Sequence, residues 1–230
     1  MVAATSDRSP ALQIKAAFLA TTLAEYFRVQ GKDVLLMVDS LTRLALAQRQ
    51  IGLAAGEPPT TRGYTPSVFA LLPPLLERAG PGISRGSVTA VYTVLVEGDD
   101  ENDPIGDAVR GIVDGHIVLS RRLAQGGQYP AVDVLASLSR LMARIADPNH
   151  NRLANRFRDL LATWRDNEEL VRLGAWRPGA APDVDAAVHA WPQLREFLTQ
   201  DPTQATDPAE TLKMLAASVA PQEGGQRRAR

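Results

Sequence analysis

The sequence predicts an α/β domain followed by an all-helical domain, and three observations support this prediction. Residues 34–38 form a short apolar run between polar residues, which is typical of a strand buried on both faces of a parallel sheet. Residues 87–96 (SVTAVYTVLV) are nearly all apolar and rich in β-branched side chains, as expected of another central strand. After about Pro148 the apolar residues recur at helical spacing, and strand patterns stop.

The composition is that of an ordinary globular protein. The chain has 230 residues, 45% hydrophobic and 22% charged, which is enough for one large domain or for one domain with a small appendage. No apolar run approaches the roughly eighteen residues of a membrane span, and residues 1–9 lack the basic and apolar blocks of a signal peptide. The absence of cysteine excludes disulfides and thiolate metal sites and fits a cytoplasmic protein. A net charge of −1 gives no general argument for nucleic-acid binding.

The remaining elements are predicted from apolar periodicity and from the Gly and Pro residues that interrupt it. Gly31 is the expected end of the first helix, before the strand at 34–38. The predicted helices are 11–29, 41–51, 67–78 (interrupted or bent near Pro73 and Pro74), 105–113, 153–173, 183–190, 194–200 and 207–219, and the two further strands are 116–120 and 132–135. The predicted domains are residues 1–147 (α/β) and 148–220 (helical), and residues 221–230 are predicted to be a disordered tail.

Asp39 and Arg43 stand directly after the first predicted strand. In open parallel sheets, ligands bind at the carboxyl ends of the strands, so Asp39 is expected to face a crevice. An acid at such a place can hold Mg²⁺, usually through water, beside nucleotide phosphates. A structural interpretation stays open at this point, because Asp39 or Ser40 could simply cap the helix that begins near Leu41.

Two long loops and the histidines are the other candidate functional features. The loop at 52–66 is longer than ordinary connections, which usually indicates function. The acidic loop at 97–104 allows a metal or acid–base interpretation, but a solvated loop is favoured. His116 is expected to be a hydrogen-bonded strand residue, and His150 and His189 have no neighbours at metal-ligand spacing, so no zinc site is predicted.

Five segments together resemble a known family, in the same order and at the same spacing. They are LLMVDSLTRLALAQR, GLAAGEPPTTRGYTPSVFALLP, YTVLVEGDDENDP, DGHIVLSR and YPAVDVLASLSR. They resemble the ATPases of type III secretion systems and of bacterial flagellar export, which are related to the catalytic subunit of rotary ATP synthases. The resemblance covers about residues 1–200 and implies a RecA-like P-loop NTPase core with a mostly parallel sheet, followed by a helical C-terminal domain.

The resemblance also implies roles for individual residues. Asp39 matches the acid that orients Mg²⁺ and its waters, and Arg43 matches an arginine near the phosphates of ATP. Tyr129, followed by Pro130 in the YPAVD motif, matches the aromatic residue that packs on adenine. Arg140 matches an arginine finger that reaches into the site of the next subunit. From the residues alone, either arginine could be a solvated surface side chain, and Tyr129 could be an amphipathic core residue.

The phosphate-binding loop of such ATPases is missing from these 230 residues. That loop requires Gly-x-x-x-x-Gly-Lys followed by Ser or Thr. Gly31-Lys32 is the only Gly-Lys pair, but Asp33 follows it and Tyr26 stands where the first glycine is required. We therefore expect the chain to be the C-terminal part of a longer ATPase, in which the N-terminal part of the nucleotide domain precedes Met1. Alone, it should bind ATP poorly, hydrolyse little of it, and expose a sheet edge and apolar faces.

The resemblance implies an ATP hydrolase that energises protein export, with ATP and Mg²⁺ bound between the subunits of a homohexameric ring. The loop at 52–66 would face the pore of the ring. Implied partners are the stalk and regulator proteins of the export apparatus, export chaperones and substrates, but no nucleic acid. The implied location is the cytoplasm, at the inner face of the membrane export apparatus, with peripheral membrane association and no transmembrane segment. The shared motifs do not separate flagellar from virulence-type export.

Two alternatives from other classes remain. The chain could be a non-catalytic interaction fragment that docks on an intact export ATPase or on its chaperones. It could also belong to a rotary ATP synthase or to a hexameric RNA helicase of the same superfamily. The EGDD and LAAGEPPTTRGY segments favour the export branch, and the sequence has no basic strip with interleaved aromatic residues of the kind that nucleic-acid binding requires.

Overall fold

A computed structural model describes residues 1–83, 85–100 and 102–220 of the chain. The chain forms two compact units, Met1–Val113 and Asp114–Arg230, and each is described here by itself. The predicted domain boundary at residue 147 lies within the second unit and stays a prediction. The predicted disordered tail lies outside the described residues. Within the described part of the chain, no helix combines the length and apolar character that a membrane span requires.

The first unit alternates helices with the strands of a small sheet. Its elements are α1 (Pro10–Val29), β1 (Asp33–Val38), α2 (Leu41–Ala54), α3 (Pro66–Leu76), β2 (Gly80–Pro81), β3 (Ser87–Tyr92) and α4 (Pro104–Ile112). Strand β1 pairs with β3 in parallel, from Asp33 opposite Ser87 to Val38 opposite Tyr92, and β2 pairs antiparallel with the other edge of β3. The two predicted central strands are thus parallel neighbours, although β3 ends at Tyr92 rather than at residue 96.

The expectation that β1 is buried on both faces was wrong for this chain. Leu36 is 8% exposed on the face that packs against α1, whereas Leu35 is 62% exposed and Met37 72% exposed on the other face. Among the described residues, nothing covers that second face, and β1 pairs along one edge only. The expected exposed sheet edge and apolar face are therefore present, and apolar residues of α1, Leu23 and Phe27 among them, are also exposed.

The core of the first unit lies between α2, α3 and α4. Its fully buried members include Leu41, Leu72 and Ile105. Helix α3 runs through Pro73 and Pro74 as one element, so of the two predicted alternatives, an interruption or a bend, the interruption was wrong. Burial of the apolar residues on either side of the two prolines, Leu72 and Leu75–Leu76, holds the last turn in place although proline cannot donate a backbone hydrogen bond.

The second unit begins with a two-stranded antiparallel sheet and continues as helices. Its elements are β4 (Gly115–Leu119), α5 (Arg121–Gln125), β5 (Val132–Ser139), α6 (Met142–Ile145), α7 (Pro148–Arg172), α8 (Pro182–Leu198) and α9 (Pro208–Ser218). Strand β5 is four residues longer than predicted. The ring Nε2 of His116 lies 3.1 Å from the carbonyl oxygen of Ala136, so this histidine is a hydrogen-bonded strand residue, as predicted.

Helices α7, α8 and α9 pack around a second apolar core. The rings of Trp164 and Trp191 stack there with centroids 4.8 Å apart. The two helices predicted at 183–190 and 194–200 are the single helix α8. A buried stripe of Ala187, Ala190 and Leu194 continues across Pro192, which lies on the exposed side, and packing of this stripe outweighs the local signal of the proline.

Candidate nucleotide site

Asp39 is the first residue after β1, at the carboxyl end of the strand, and its side chain is exposed. One carboxylate oxygen, Oδ1, accepts a 2.9 Å hydrogen bond from the hydroxyl of Thr93, the residue that follows β3. Oδ2 has no hydrogen-bond partner within the part of the chain that the structure describes. The carboxylate is thus held in place by the neighbouring strand, while the residue as a whole remains exposed. Such a group can bind a magnesium-bound water.

Ser40, and not Asp39, caps helix α2. The buried Ser40 hydroxyl accepts a hydrogen bond from the backbone N–H of Arg43 at 3.4 Å, and the backbone N–H of Leu41 donates to the carbonyl of Thr93 at 2.9 Å. Of the two residues that could cap α2, Ser40 is the one that does so. The carboxylate of Asp39 is not used for capping. The Asp39–Ser40 peptide bond is cis.

Arg43 lies in the first turn of α2, next to the end of β1. Its side chain is exposed and forms no ion pair with any other described residue. An arginine without an acidic partner, placed one turn from an exposed carboxylate, can bind an anion that also carries a metal ion. Asp39 and Arg43 therefore form one local group in the first unit.

Tyr129 and Pro130 lie in the second unit, between α5 and β5. Tyr129 is 54% exposed, and the Tyr129–Pro130 peptide bond is cis. The carbonyl oxygen of Tyr129 accepts a 2.8 Å hydrogen bond from the backbone N–H of Gln200, two residues beyond the end of α8. The backbone of this turn is thus fixed, while a large part of the aromatic surface remains open to a flat ligand.

Arg140 is the first residue after β5, and its side chain is exposed. Its backbone N–H donates a 2.8 Å hydrogen bond to the carbonyl of Asp114. Strand β5 is held from α7 by Arg158, whose Nη1 donates to the carbonyl oxygens of Val134 at 2.8 Å and Ser137 at 3.2 Å. Arg140 thus extends from a strand end that the helices of the second unit stabilise.

Asp133, the acid of the YPAVD motif, has a structural role that the sequence did not reveal. It is buried and accepts hydrogen bonds at 3.1 Å from Arg165 Nη2 and from the backbone N–H groups of Leu135 and Ala136. Burial works to raise the pKa of the Asp133 carboxyl, but the Arg165 guanidinium and the two backbone donors outweigh burial and lower the pKa below its ordinary value of 3.8. The one sequence signal for a basic partner such as Arg165 was the presence of an acid within an apolar strand.

The two candidate loops of the first unit are joined by Arg62, which lies in a turn between α2 and α3. Its guanidinium pairs with Asp100 and, at 3.7 Å, with Asp103. Asp103 is buried and caps α4 by accepting a 2.8 Å hydrogen bond from Gly106 N–H. Asp100 of the acidic loop is therefore ion-paired, and its side chain remains 34% exposed. The side chain of Asp99 and the whole of Glu101 lie outside the described part.

The predicted site residues fall into two groups. Asp39 and Arg43 belong to the first unit, and Tyr129, Pro130 and Arg140 belong to the second. Thr93 and Arg158, which position members of these groups, were missed because their contacts link residues 54 and 24 positions apart in the sequence. The catalytic and binding roles of the five predicted residues remain predictions.

The parallel β1–β3 pair with an acid at its carboxyl end, followed by a helical second part, is the arrangement of an α/β domain with a helical C-terminal domain. Family comparison agrees: the ATP synthase alpha/beta family, nucleotide-binding domain, matches residues 1–139, and the T3SS EscN ATPase C-terminal domain matches residues 146–217. The chain belongs to the ATP synthase alpha/beta family and carries the C-terminal domain of its type III secretion members.

Individual relatives are also similar over nearly the whole chain. The flagellum-specific ATP synthase of Bacillus subtilis (strain 168) is 52% identical over 223 residues, which are 97% of this chain and 51% of the relative. The assembled ATPase EscN of the enteropathogenic E. coli type III secretion system is 48% identical with a TM-score of 0.91, over 94% of this chain and 52% of that one. EscN in complex with its central stalk EscO is 46% identical with a TM-score of 0.86, again over 94% and 52%. The chain thus spans about half the length of its relatives.

Proposed function

We propose that this chain supplies part of the ATP site of a protein-export ATPase. It would provide the acid that holds Mg²⁺ (Asp39), the aromatic residue that packs on adenine (Tyr129) and the arginine finger (Arg140). The observation that carries the proposal is the Asp39 carboxylate. Thr93 fixes this carboxylate at the carboxyl end of β1. Ser40 caps α2, so the exposed Asp39 carboxylate is not used for capping. The family of the chain and the names of its relatives agree with this activity.

The chemistry follows from the residues of the first unit. Mg²⁺, when bound, neutralises charge on the β- and γ-phosphates. Asp39 would hold this ion through a water molecule, because a single carboxylate suits the mostly hydrated coordination of Mg²⁺. The permanently charged, planar guanidinium of Arg43 would donate hydrogen bonds to phosphate oxygens. Both side chains are exposed and neither is ion-paired within the described residues, so a ligand would displace only water.

The second unit contributes a stacking surface and a cation. The exposed face of Tyr129, with Pro130 beside it, would pack on the adenine ring. Arg140 would act in the site of a neighbouring subunit, where a guanidinium stabilises the charge that spreads over the γ-phosphoryl oxygens during transfer. An arginine acting in the neighbouring site requires a closed ring, and we propose the homohexamer that the resemblance implies.

The partners and the location follow the same reasoning. A central stalk is the partner best supported, because the EscN relative was solved in complex with its stalk EscO. Export chaperones, export substrates and regulator proteins are further proposed partners, with the ring lying in the cytoplasm at the inner face of the membrane export apparatus. The phosphate-binding Gly-Lys loop is absent from these 230 residues, so ATP turnover requires that a segment carrying it completes the site.

The proposal is tested by completing the site and then removing Asp39. The chain is fused to the amino-terminal half of the Bacillus subtilis relative, and Mg²⁺-dependent phosphate release is measured. We expect turnover in the fusion and its loss in Asp39→Ala. Asp33→Ala is the matched control, because Asp33 is an exposed acid at the opposite end of the same strand, where it accepts a 2.8 Å hydrogen bond from Ser87.

Turnover that survives Asp39→Ala would contradict the role proposed for this carboxylate. A fusion that folds and assembles but releases no phosphate would instead favour the alternative of a non-catalytic interaction module.

A further inference from the structure

The second unit contains a cavity of about 310 Å³ on the side where α5 and β5 meet α7 and α8. None of the five predicted nucleotide-site residues is among its lining residues. Three arginines line it, namely Arg122 of α5, Arg165 of α7 and Arg195 of α8. The volume is at the lower end of the range of about 300–1,000 Å³ that is usual for small-molecule sites.

The charges that line the cavity favour an anion. Arg165 already binds the buried Asp133 at 3.1 Å, which fixes its guanidinium. Arg122 and Arg195 are exposed and form no ion pair within the described residues. Glu168 is the acid among the lining residues, and Arg165 is already paired with Asp133, so Arg122 and Arg195 are the two cations that the lining residues leave available beside one carboxylate. The planar fork of a guanidinium matches the oxygens of a carboxylate or a phosphate.

The cavity also has an apolar wall. Trp164 and Trp191 line it and stack on each other with an interplanar angle of 12° and centroids 4.8 Å apart. Leu161 and Leu198 continue this wall. A fully hydrated inorganic ion gains nothing from such a surface, whereas an apolar group attached to the anion would bury area against it.

We propose that this cavity binds a small organic anion, a phosphate or a carboxylate attached to an apolar group. Arg122 and Arg195 bind the anionic oxygens, Arg165 is fixed by Asp133 beside them, and the tryptophan pair contacts the apolar group. None of the five residues of the nucleotide site proposed above lines this cavity, and the proposal does not depend on ATP hydrolysis.

The tryptophan pair provides a direct measurement on the chain as it is. Phenyl phosphate is titrated into the protein while tryptophan emission is recorded, in a Trp176→Phe background, because Trp176 binds Asp185 and does not line the cavity. We expect a saturable change in emission. Inorganic phosphate should bind more weakly, and neutral benzyl alcohol should produce no saturable change. Phenyl phosphate that gives no saturable change, or that binds no better than inorganic phosphate, would overturn the proposal.

Substitution of the two unpaired arginines locates the binding. The double variant Arg122→Ala with Arg195→Ala should weaken phenyl phosphate binding by at least about tenfold, because each charge-assisted hydrogen bond contributes substantially. The control is Arg152→Ala, an exposed arginine in the second turn of α7 that does not line the cavity. Circular dichroism checks folding, and Arg122→Gln and Arg195→Gln are used singly if the double variant unfolds. Binding that survives these substitutions would overturn the proposal.

Discussion

The hydroxyl of Thr93 donates a 2.9 Å hydrogen bond to the carboxylate of Asp39, and these two residues follow the parallel strands β3 and β1. The backbone N–H of Thr93 also donates to the carbonyl of Val38 at 3.1 Å, so the link continues the strand pairing beyond the last paired residues. The orientation of the proposed magnesium-side acid is therefore set by the neighbouring strand rather than by the helix that Asp39 precedes.

Thr93→Val should weaken magnesium binding while leaving the fold intact. The substitution keeps the shape of the side chain but removes the donor to Asp39, a loss of about 1 kcal/mol, or roughly fivefold in the Mg²⁺ concentration that gives half-maximal phosphate release. The measurement uses the fused enzyme described above. Thr93→Ser retains the hydroxyl and should behave as the parent does. If the Thr93→Val and Thr93→Ser variants required the same Mg²⁺ concentration for half-maximal phosphate release, the hydrogen bond would not position Asp39.

Arg140→Ala in the fused enzyme should lower the turnover rate by about 10³-fold or more, with little change in ATP affinity, because a finger arginine acts mainly in the transition state. Arg140→Lys should not restore the rate, since the ammonium lacks the planar fork. Rate and affinity are measured separately by phosphate release and by calorimetry. A large loss of affinity with an unchanged rate would contradict the role of a finger.

Mixed rings test whether Arg140 acts in the site of a neighbour. Subunits with Arg140→Ala and subunits with Asp39→Ala are each expected to be inactive alone. When the two are mixed, some subunit interfaces contain an intact Asp39 and an intact Arg140, so partial activity should return. Mixtures that stay inactive, although mixed rings are detected, would place Arg140 in the site of its own subunit or outside the site.

The exposed face of β1 should control solubility. Leu35→Thr with Met37→Thr removes apolar surface that is 62% and 72% exposed, so the chain should stay soluble at higher concentration with its melting temperature nearly unchanged. Leu36→Thr is the matched control on the same strand: this side chain is 8% exposed, and its replacement should cost about 2–4 kcal/mol in the free energy of unfolding. Equal effects of the exposed and buried substitutions would contradict the burial pattern of β1.

The Asp133–Arg165 pair should make the second unit sensitive to acid. The pKa of Asp133 is lowered in the folded state, so its contribution to stability is present above the ordinary value of 3.8 and is lost as the pH falls through the lower folded value. Asp133→Asn should therefore cost about 2 kcal/mol in the free energy of unfolding at neutral pH. The difference between parent and variant should shrink below about pH 3.8, as measured by denaturant titration across pH. A difference that does not depend on pH would contradict ionisation of Asp133.

The sequence predicted features that depend on local patterns. A short apolar run that ends in an acid correctly predicted strand β1 and the position of Asp39 at its end. Apolar periodicity correctly predicted helices α1, α2 and α7. The capping role of Ser40 was named as one of two alternatives but could not be assigned, because Asp39 and Ser40 are both good capping residues.

Features that depend on distant partners could not be predicted from local patterns. No local signal indicates that Thr93 binds Asp39, that Arg165 binds Asp133, or that Arg62 joins two loops. The continuity of α8 across Pro192 depends on packing against α7, which outweighs the helix-breaking tendency of the proline. Likewise, an apolar strand is expected to be buried on both faces only if other elements are available to cover it, and β1 has one covered face.

The central claim is that this chain holds part of an ATP site and lacks the phosphate-binding part. The most direct test is a calorimetric titration of the purified 230-residue chain with ATP and Mg²⁺, with phosphate release measured on the same sample. We expect no tight binding and little release, because these residues contain no loop of backbone N–H donors and no lysine for the phosphates. Tight binding with robust phosphate release that Arg43→Ala abolishes would contradict the claim.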